Sequence, residues 1–417
     1  MNNQLKVISF NISRAFIFFL FFTASQSRAD VIDGSHLDGQ FRSFSLDRNY
    51  LKNGSVKNKE GSYSTGILIN YSSGYTDTFI AAGFDLDAQY AVRLSSTGND
   101  GSLPFNTETN KTSPHYGRLG GTLKFKIKDT LLKVGNVQPD NPLLATEDTR
   151  MLPSIAQGAI VESRPIQGLL LSGGQFWSQV TRQSSNQEKF YLAGQTEYQG
   201  SNKLTFAGVE YKLTPETDFK EYYGVLTNIY RQNYSGISHI FNLDDSLNLN
   251  LSARYNQFWK DGDARAGNID NRSYGLMAGL AGISHSIAFS YQRMLGETGY
   301  PQLAGDTPLT YLVNYGSLGF NNRDEKSWSV RYRYVIHAGI LEGLGAGLRY
   351  SRGTNINLGN GSAKAKESET DISLTYHPQK AELKNLGLTL LYVPVRQSAG
   401  VDVNTLRLLL TYNFSIL

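Results

Sequence analysis

From Lys59 onward the chain is built of short segments in which apolar and polar residues alternate. Near Tyr63 the alternation is regular: Tyr63, Thr65, Ile67, Ile69 and Tyr71 fall on one face, and Ser62, Ser64, Gly66, Leu68, Asn70 and Ser72 on the other. A period of two sends successive side chains to opposite faces of a strand. An apolar face with a tyrosine at each end is the pattern of a lipid-facing strand whose aromatic residues sit at the two membrane interfaces.

The pattern repeats along the chain. Leu119, Gly121, Leu123, Phe125 and Ile127 alternate with Arg118, Gly120, Thr122, Lys124 and Lys126. Leu247, Leu249, Leu251, Ala253 and Tyr255 alternate with Asn248, Asn250, Ser252, Arg254 and Asn256. Trp328, Val330, Tyr332, Tyr334 and Ile336 alternate with Ser327, Ser329, Arg331, Arg333 and Val335, and Leu406, Leu408, Leu410, Tyr412 and Phe414 with Arg407, Leu409, Thr411 and Asn413. A soluble β-sandwich also alternates, but three features favour a barrel in lipid. Tyr and Trp gather at strand ends, strands run to the end of the chain, and no helical period occurs after the N-terminal segment. The expected fold is therefore all-β, a transmembrane antiparallel barrel with an even count of roughly 16 to 18 strands. A barrel that wide leaves an aqueous lumen that its own side chains do not fill.

The single long apolar run changes the picture only at the N-terminus. Lys6 and Arg14 precede Ala15 to Phe22, and Ser27-Arg28-Ala29 follows. A basic start, a short apolar run and small residues at a cleavage position make a signal peptide; the run is too short to span a bilayer. Residues 1–29 are thus expected to be cleaved after Ala29, leaving 30–417 as one barrel domain in the outer membrane of a Gram-negative bacterium. Removing Lys6, Arg14 and Arg28 brings the formal charge of +4 close to balance. That argues against a nucleic-acid partner, which needs a strongly basic face. The chain has no cysteine, so thiolate metal sites and disulfides are excluded.

Enzyme signatures are missing as well. No Gly-x-Ser-x-Gly, Gly-x-x-x-x-Gly-Lys or His-Glu-x-x-His occurs, and the six His are scattered. Asp85/Asp87 and Asp261/Asp263 are alternating carboxylate pairs without a complete calcium loop. No enzyme activity, cofactor or metal is expected. Two stretches lack alternation, 138–156 and 296–308. Long irregular loops in a compact barrel tend to be functional, and either is a candidate to enter the lumen with its charged residues Asp140, Glu147, Asp148, Arg150 and Asp306.

Five blocks resemble the OprD family of outer-membrane porins. They are Ile32-Asp-Gly-Ser-His-Leu-Asp38 with Phe41-Arg42 and Asp47-Arg48; Arg118-Leu-Gly-Gly-Thr-Leu-Lys124; Leu132-Lys-Val-Gly-Asn-Val-Gln-Pro139; Ile229-Tyr-Arg-Gln232; and Glu325-Lys-Ser-Trp328 with Arg331-Tyr332. The chain closes on Ser415-Ile416-Leu417, much as family members do. The resemblance implies a monomer of about 18 strands whose third loop folds inward, with a line of basic residues on one wall that guides carboxylate-bearing solutes. Implied partners are outer-membrane lipid, small solutes and the barrel-assembly machinery.

Inward Arg and Lys select anions, and Arg holds a carboxylate through two parallel hydrogen bonds. Alternation nominates Arg118, Lys124, Lys126, Arg331, Arg333, Arg349 and Arg407 as lumen-facing, and the resemblance adds Arg42. Arg118 matches a family position near the constriction and precedes Gly120-Gly121, where absent side chains leave room for a loop. The chain departs from the fuller basic wall of some members at Thr375, Thr389 and Leu391, so a preference for basic amino acids is not implied. The function expected is passive, substrate-preferring uptake of organic acids or amino acids. A chito-oligosaccharide or sugar porin of the same fold is the alternative, ahead of a barrel enzyme or an adhesin.

Overall fold

A computed structural model describes residues 31–32, 34–51, 58–106, 108–305, 312–359 and 361–417. Residues 1–30, on which the expected signal peptide falls, Asp306 and part of the first interstrand loop lie outside the described residues. The barrel strands are β1 (His36–Tyr50), β2 (Lys59–Ser72), β3 (Ala81–Ser96), β4 (His115–Ile127), β5 (Thr130–Val137) and β6 (Ile155–Ser163). They continue as β7 (Leu169–Val180), β8 (Leu204–Thr214), β9 (Thr217–Leu226), β10 (Tyr230–Asn242), β11 (Asn248–Lys260) and β12 (Asp270–Ala281). The last six are β13 (His285–Leu295), β14 (Lys326–Val335), β15 (Leu344–Ile356), β16 (Ala365–Tyr376), β17 (Leu386–Gln397) and β18 (Val403–Ser415).

All 18 strands belong to one sheet. Each pairs antiparallel with its neighbours in sequence, and β1 pairs with β18, Phe41 opposite Tyr412 and Arg42 opposite Thr411. Closure leaves no strand edge unpaired, as a sheet in lipid requires. The two ends differ. One carries tight turns such as 128–129 and 215–216, and the other the long loops 97–114, 138–154, 181–203 and 296–325. By the usual asymmetry of such barrels the long-loop end faces outward and the turn end the periplasm.

Burial is inverted relative to a soluble protein. Leu119 is 84% exposed, and Phe41, Leu123, Leu276, Phe289 and Leu408 are also exposed, whereas Ser64, Gln89, Gln232, Ser290, Ser329 and Ser351 are buried. Apolar side chains on the outer face cost little in lipid, and polar ones inside meet loops and water. That inversion is what alternation alone could not assign a direction to.

The lumen is not evenly open. Leu143 and Leu144 of loop 138–154, Phe190 and Leu192 of loop 181–203, and Tyr300 and Leu303 of loop 296–325 pack with Phe176, Phe206, Tyr222, Tyr234 and Phe258 on the inner faces of β7 to β11. Leu103, Met151 and Leu152 pack similarly on Phe44, Leu46, Leu68 and Tyr116 of β1 to β4. Full burial of such a side chain is worth about 1.5–3 kcal/mol, so these loops form an internal core. The third loop on the outer end, 138–154, thus packs inside the barrel, and a short hairpin of Asp140–Asn141 with Leu144–Ala145 sits within it. The space left beside these cores is lined by β10 to β16 nearer the turn end and by β1, β18 and the inward loops nearer the outer end.

Candidate functional site

Two wall arginines fix the inward loops. Arg42 on β1 is buried; its Nη1 lies 2.5 Å from Asp148 Oδ1 and donates to the carbonyl of Arg150 at 3.1 Å, while Nε and Nη2 hold Gln40 Oε1. Arg118 on β4 donates Nε to the Ser184 carbonyl at 3.0 Å, with Nη1 on the Pro153 carbonyl and Nη2 on that of Thr181. It therefore ties loops 138–154 and 181–203 to one point of the wall. The space over Gly120 is not taken by a loop: the side-chain amide of Asn136 fills it, and a Cβ there would lie 1.5 Å from Asn136 Nδ2.

Toward the outer end lies a cavity of about 450 Å³ into which Arg48, Arg150, Arg182 and Arg407 project, with Glu147 and Tyr315 also on its lining. Arg182 pairs closely with Glu147. Arg150 sits 6.0 Å over the Phe44 ring, and its Nε has no hydrogen-bond partner. Burial first, and then the charges of Arg407 and Arg48, lower the Arg150 pKa to about 8; burial and then Arg48 lower that of Arg182 to about 10. Guanidinium groups keep their proton in proteins. The direction of both shifts therefore marks burial first and the neighbouring cations second, and an arriving anion would relieve the second.

Part of that cavity's lining is a segment of loop 296–325 clamped to the wall. Glu369 on β16 accepts backbone N–H bonds from Gly316, Ser317 and Leu318 at 2.9, 2.9 and 2.6 Å. Arg407 on β18 donates to the Gly316 carbonyl at 2.7 Å, Arg349 on β15 to that of Asn314 at 2.8 Å, and Ser351 to that of Val313 at 3.0 Å. A carboxylate that collects several N–H groups orders a loop strongly. Leu318 completes the attachment against Leu391, Val393 and Val395 of β17.

Beyond the clamp, toward the turn end, a second cavity of about 660 Å³ is lined by Arg254, Arg331, Arg333, Arg349, Asp371 and Tyr315 among others. Arg331 and Arg349 stand directly opposite one another across the β14–β15 pair. Like charges so placed cost stability, and a solute anion between them offsets that cost. Asp371, opposite Arg349 on the other side, leaves this wall mixed rather than purely cationic.

The expected residues thus separate into groups. Arg331, Arg333 and Arg349 share the inner cavity, and Arg407 and Arg150 the outer one. Arg42 and Arg118 hold loops. Lys124 lies apart near the turn end, 2.5 Å from Asp85, and exposed Lys126 is 6.0 Å from the Tyr75 ring. Glu147 and Asp148 pair with Arg182 and Arg42, Asp140 is exposed in its short hairpin, and Asp306 is not among the described residues. Sequence reasoning put Arg254 on a polar face and quoted Arg48 in a resemblance block without nominating either for the lumen, and it passed over Glu369; Arg48 shares its face with Phe44 and Leu46, so alternation does not single it out. Arg182 and Tyr315 are loop residues without any periodic signal.

Comparison with known proteins agrees with this architecture. The model of the family described as outer membrane porin, OprD family, matches residues 29–416. The porin-like protein GalP of Pseudomonas putida is 29% identical over 397 residues, covering 93% of each chain. The crystal structure of Pseudomonas aeruginosa OpdK with vanillate superposes with a TM-score of 0.87 at 27% identity, over 92% of this chain and 100% of that one. The structure of Pseudomonas aeruginosa OpdO superposes with a TM-score of 0.82 at 30% identity, over 94% and 100%. Matched by the family model over nearly its whole length, with its barrel closed and its loops turned inward, the chain belongs to the OprD family of outer-membrane porins.

Proposed function

We propose that this porin preferentially passes small carboxylate-bearing organic acids or amino acids. One observation carries the reading: the outer cavity receives four guanidinium groups, Arg48, Arg150, Arg182 and Arg407, and the inner cavity four more, Arg254, Arg331, Arg333 and Arg349. Arginines arranged in succession offer a carboxylate several weak, exchangeable bidentate contacts, which is what uptake without trapping demands. The missing basic residues at Thr375, Thr389 and Leu391 are offset by cations from neighbouring strands and from loop 181–203. A neutral oligosaccharide gains little from such a wall. The vanillate bound by OpdK is itself a carboxylate, which supports the same class for a relative of this fold.

Liposome swelling with size-matched acids and sugars tests the reading. Faster swelling with the acids is expected; equal rates, or faster rates with sugars, would overturn it. The same proposal includes cleavage after Ala29, insertion by the barrel-assembly machinery and a monomeric barrel. Pairing of β1 with β18 closes the barrel within one chain, and the monomer follows the family resemblance. N-terminal sequencing and native mass measurement check cleavage and oligomeric state.

A further inference from the structure

The outer ends of β13 to β17 carry a row of cations that faces away from the pore. Arg293, Lys326, Arg352, Lys366 and Arg396 each stand one residue from a side chain buried inside the barrel: Gln292, Ser327, Ser351, Glu367 and Val395. Strand parity therefore points them outward, and all are exposed except the half-buried Arg293. Register brings them together. Arg293 lies directly opposite Lys326, and Arg352 and Arg396 flank Ser368, two residues from Lys366 on the strand between them. Like charges so placed cost stability, yet among the described residues none of the five forms an ion pair. Arg293 Nε is buried without a hydrogen-bond partner, and Arg396 donates only to the Val395 carbonyl and Asn404 Oδ1. The carboxylates of these strands, Glu367, Glu369 and Asp371, are all buried on the inner side. Asp324, in the loop before β14, is taken up by Lys364 and Asn357.

Toward the middle of the same strands come Tyr291, Trp328, Tyr350 and Tyr392, outward by the same parity, with the Trp328 and Tyr350 rings 5.6 Å apart. Such aromatic residues mark the headgroup level of a membrane. Exposed Phe289, Val330, Leu348 and Ile372 then form the apolar band. The cations thus lie at the headgroup level of the outer leaflet, directly above a surface for acyl chains. From this arrangement we infer that the outward face of β13 to β17 docks a phosphorylated glycolipid of the outer leaflet. Its acyl chains lie along the apolar band, and its phosphates supply the counterions that the strands lack. Arg forks take phosphate oxygens through paired hydrogen bonds, and Lys adds a point charge. Four interstrand steps of about 4.8 Å spread the five cations over roughly 19 Å, enough to meet separate phosphates of one headgroup. The unbroken passage from cations to apolar band fits a lipid rather than a free anion, which would use only the charges.

Native mass spectrometry of the whole folded barrel in mild detergent tests this, with a chelator present so that no divalent cation bridges. The probes are diphosphoryl lipid A and the same lipid with both phosphates removed. Wild-type protein should retain the phosphorylated form about tenfold better, from the attraction of several cations at a membrane surface. Lys326→Gln, Arg352→Gln and Lys366→Gln combined should bring that ratio close to unity. Lys212→Gln, Lys380→Gln and Lys384→Gln combined, which remove the same charge at the turn end, should leave it unchanged. All six residues are exposed and none lines either cavity, so heat-modifiable migration and single-channel conductance check that each variant is folded. Arg352→Gln alone should lower the ratio about threefold, an outcome that does not depend on the combined variant folding. Equal retention of the two lipids by wild type, or an unchanged ratio in the Arg352→Gln or combined outer-end variants, would overturn the inference. So would an equal loss in the turn-end variant. Displacement of lipid A by inorganic phosphate at equal concentration would also overturn it, as the mark of an anion site without a lipid-docking face.

Discussion

Replacing Arg118 and Arg331 in turn separates two kinds of inward arginine. Both sit on the polar face of a strand, yet their guanidinium groups do different things. Arg118 is buried and donates to the carbonyls of Pro153, Thr181 and Ser184. Arg331 is exposed to the inner cavity, where its recorded side-chain contact is Met277 Sδ at 3.2 Å. Arg118→Met removes the bonds that join two loops to the wall. Each hydrogen bond from a charged group is worth about 1.5–3 kcal/mol, and stranded carbonyls add a penalty unless water reaches them. Partial hydration of the released loops leaves a local loss on the order of 3–5 kcal/mol, most of it in loop order, because the strand ladder is untouched. Arg331→Met instead removes a unit charge from the solvated lumen. At about 6 Å that charge contributes roughly 0.7 kcal/mol to a passing ion in water, about threefold in local anion preference. Single-channel recording under a salt gradient measures both effects. Arg118→Met should give a noisier, larger conductance with a reversal potential close to wild type, and loops 138–154 and 181–203 should become sensitive to protease. Arg331→Met should move the reversal potential toward cation permeation with little change in noise. If Arg118→Met moves the reversal potential as far as Arg331→Met does while its current stays quiet, the assignment of Arg118 to loop anchoring is wrong.

Three further outcomes follow from the same geometry. Leu123→Arg places a cation mid-strand on the lipid face and should destabilise the barrel by about 2–4 kcal/mol, measured by urea unfolding in vesicles; Leu123 is exposed on that face. Gly135 has φ +135°, and a Cβ there would meet the Gly121 carbonyl at 2.1 Å, so Gly135→Ala should cost about 1–3 kcal/mol and lower the temperature of heat-modifiable migration. Glu325, in the loop before β14, is pushed up to about 8 by burial and then by Glu367, against the opposing N–H donors of Asn322. A carboxyl raised in the folded state favours folding while it holds its proton, so this contribution is fully present below the ordinary glutamate range and is lost as pH rises through about 8. Glu325→Gln should flatten that part of the pH dependence of thermal stability.

Some of this was legible in the sequence because it is local. A period of two is a property of one strand, so Leu408 and Arg407 could be put on opposite faces without knowing what either meets. Excess alternation, terminal aromatics and the polar composition then required lipid outside and water inside. The same parity rule placed Arg331, Arg333, Arg349 and Arg407 toward the lumen and put Arg254 on a polar face, and it would equally have found Glu369; Arg48 shares its face with Phe44 and Leu46, so parity alone does not place it.

Parity says nothing about who else arrives inside. Arg118 reads the same as Arg331 in sequence, and Arg42 was nominated only by the resemblance, but loops 138–154 and 181–203 return to cover Arg42 and Arg118 and leave Arg331 to solvent. Arg150, Arg182 and Tyr315 reach the pore from irregular segments whose landing points depend on apolar packing with strands far away in the chain. The sequence by itself determined a barrel with a cationic inner face, because strand geometry repeats every two residues. The tertiary structure decided which cations meet solute, because loop placement is set by long-range contacts that no local period records.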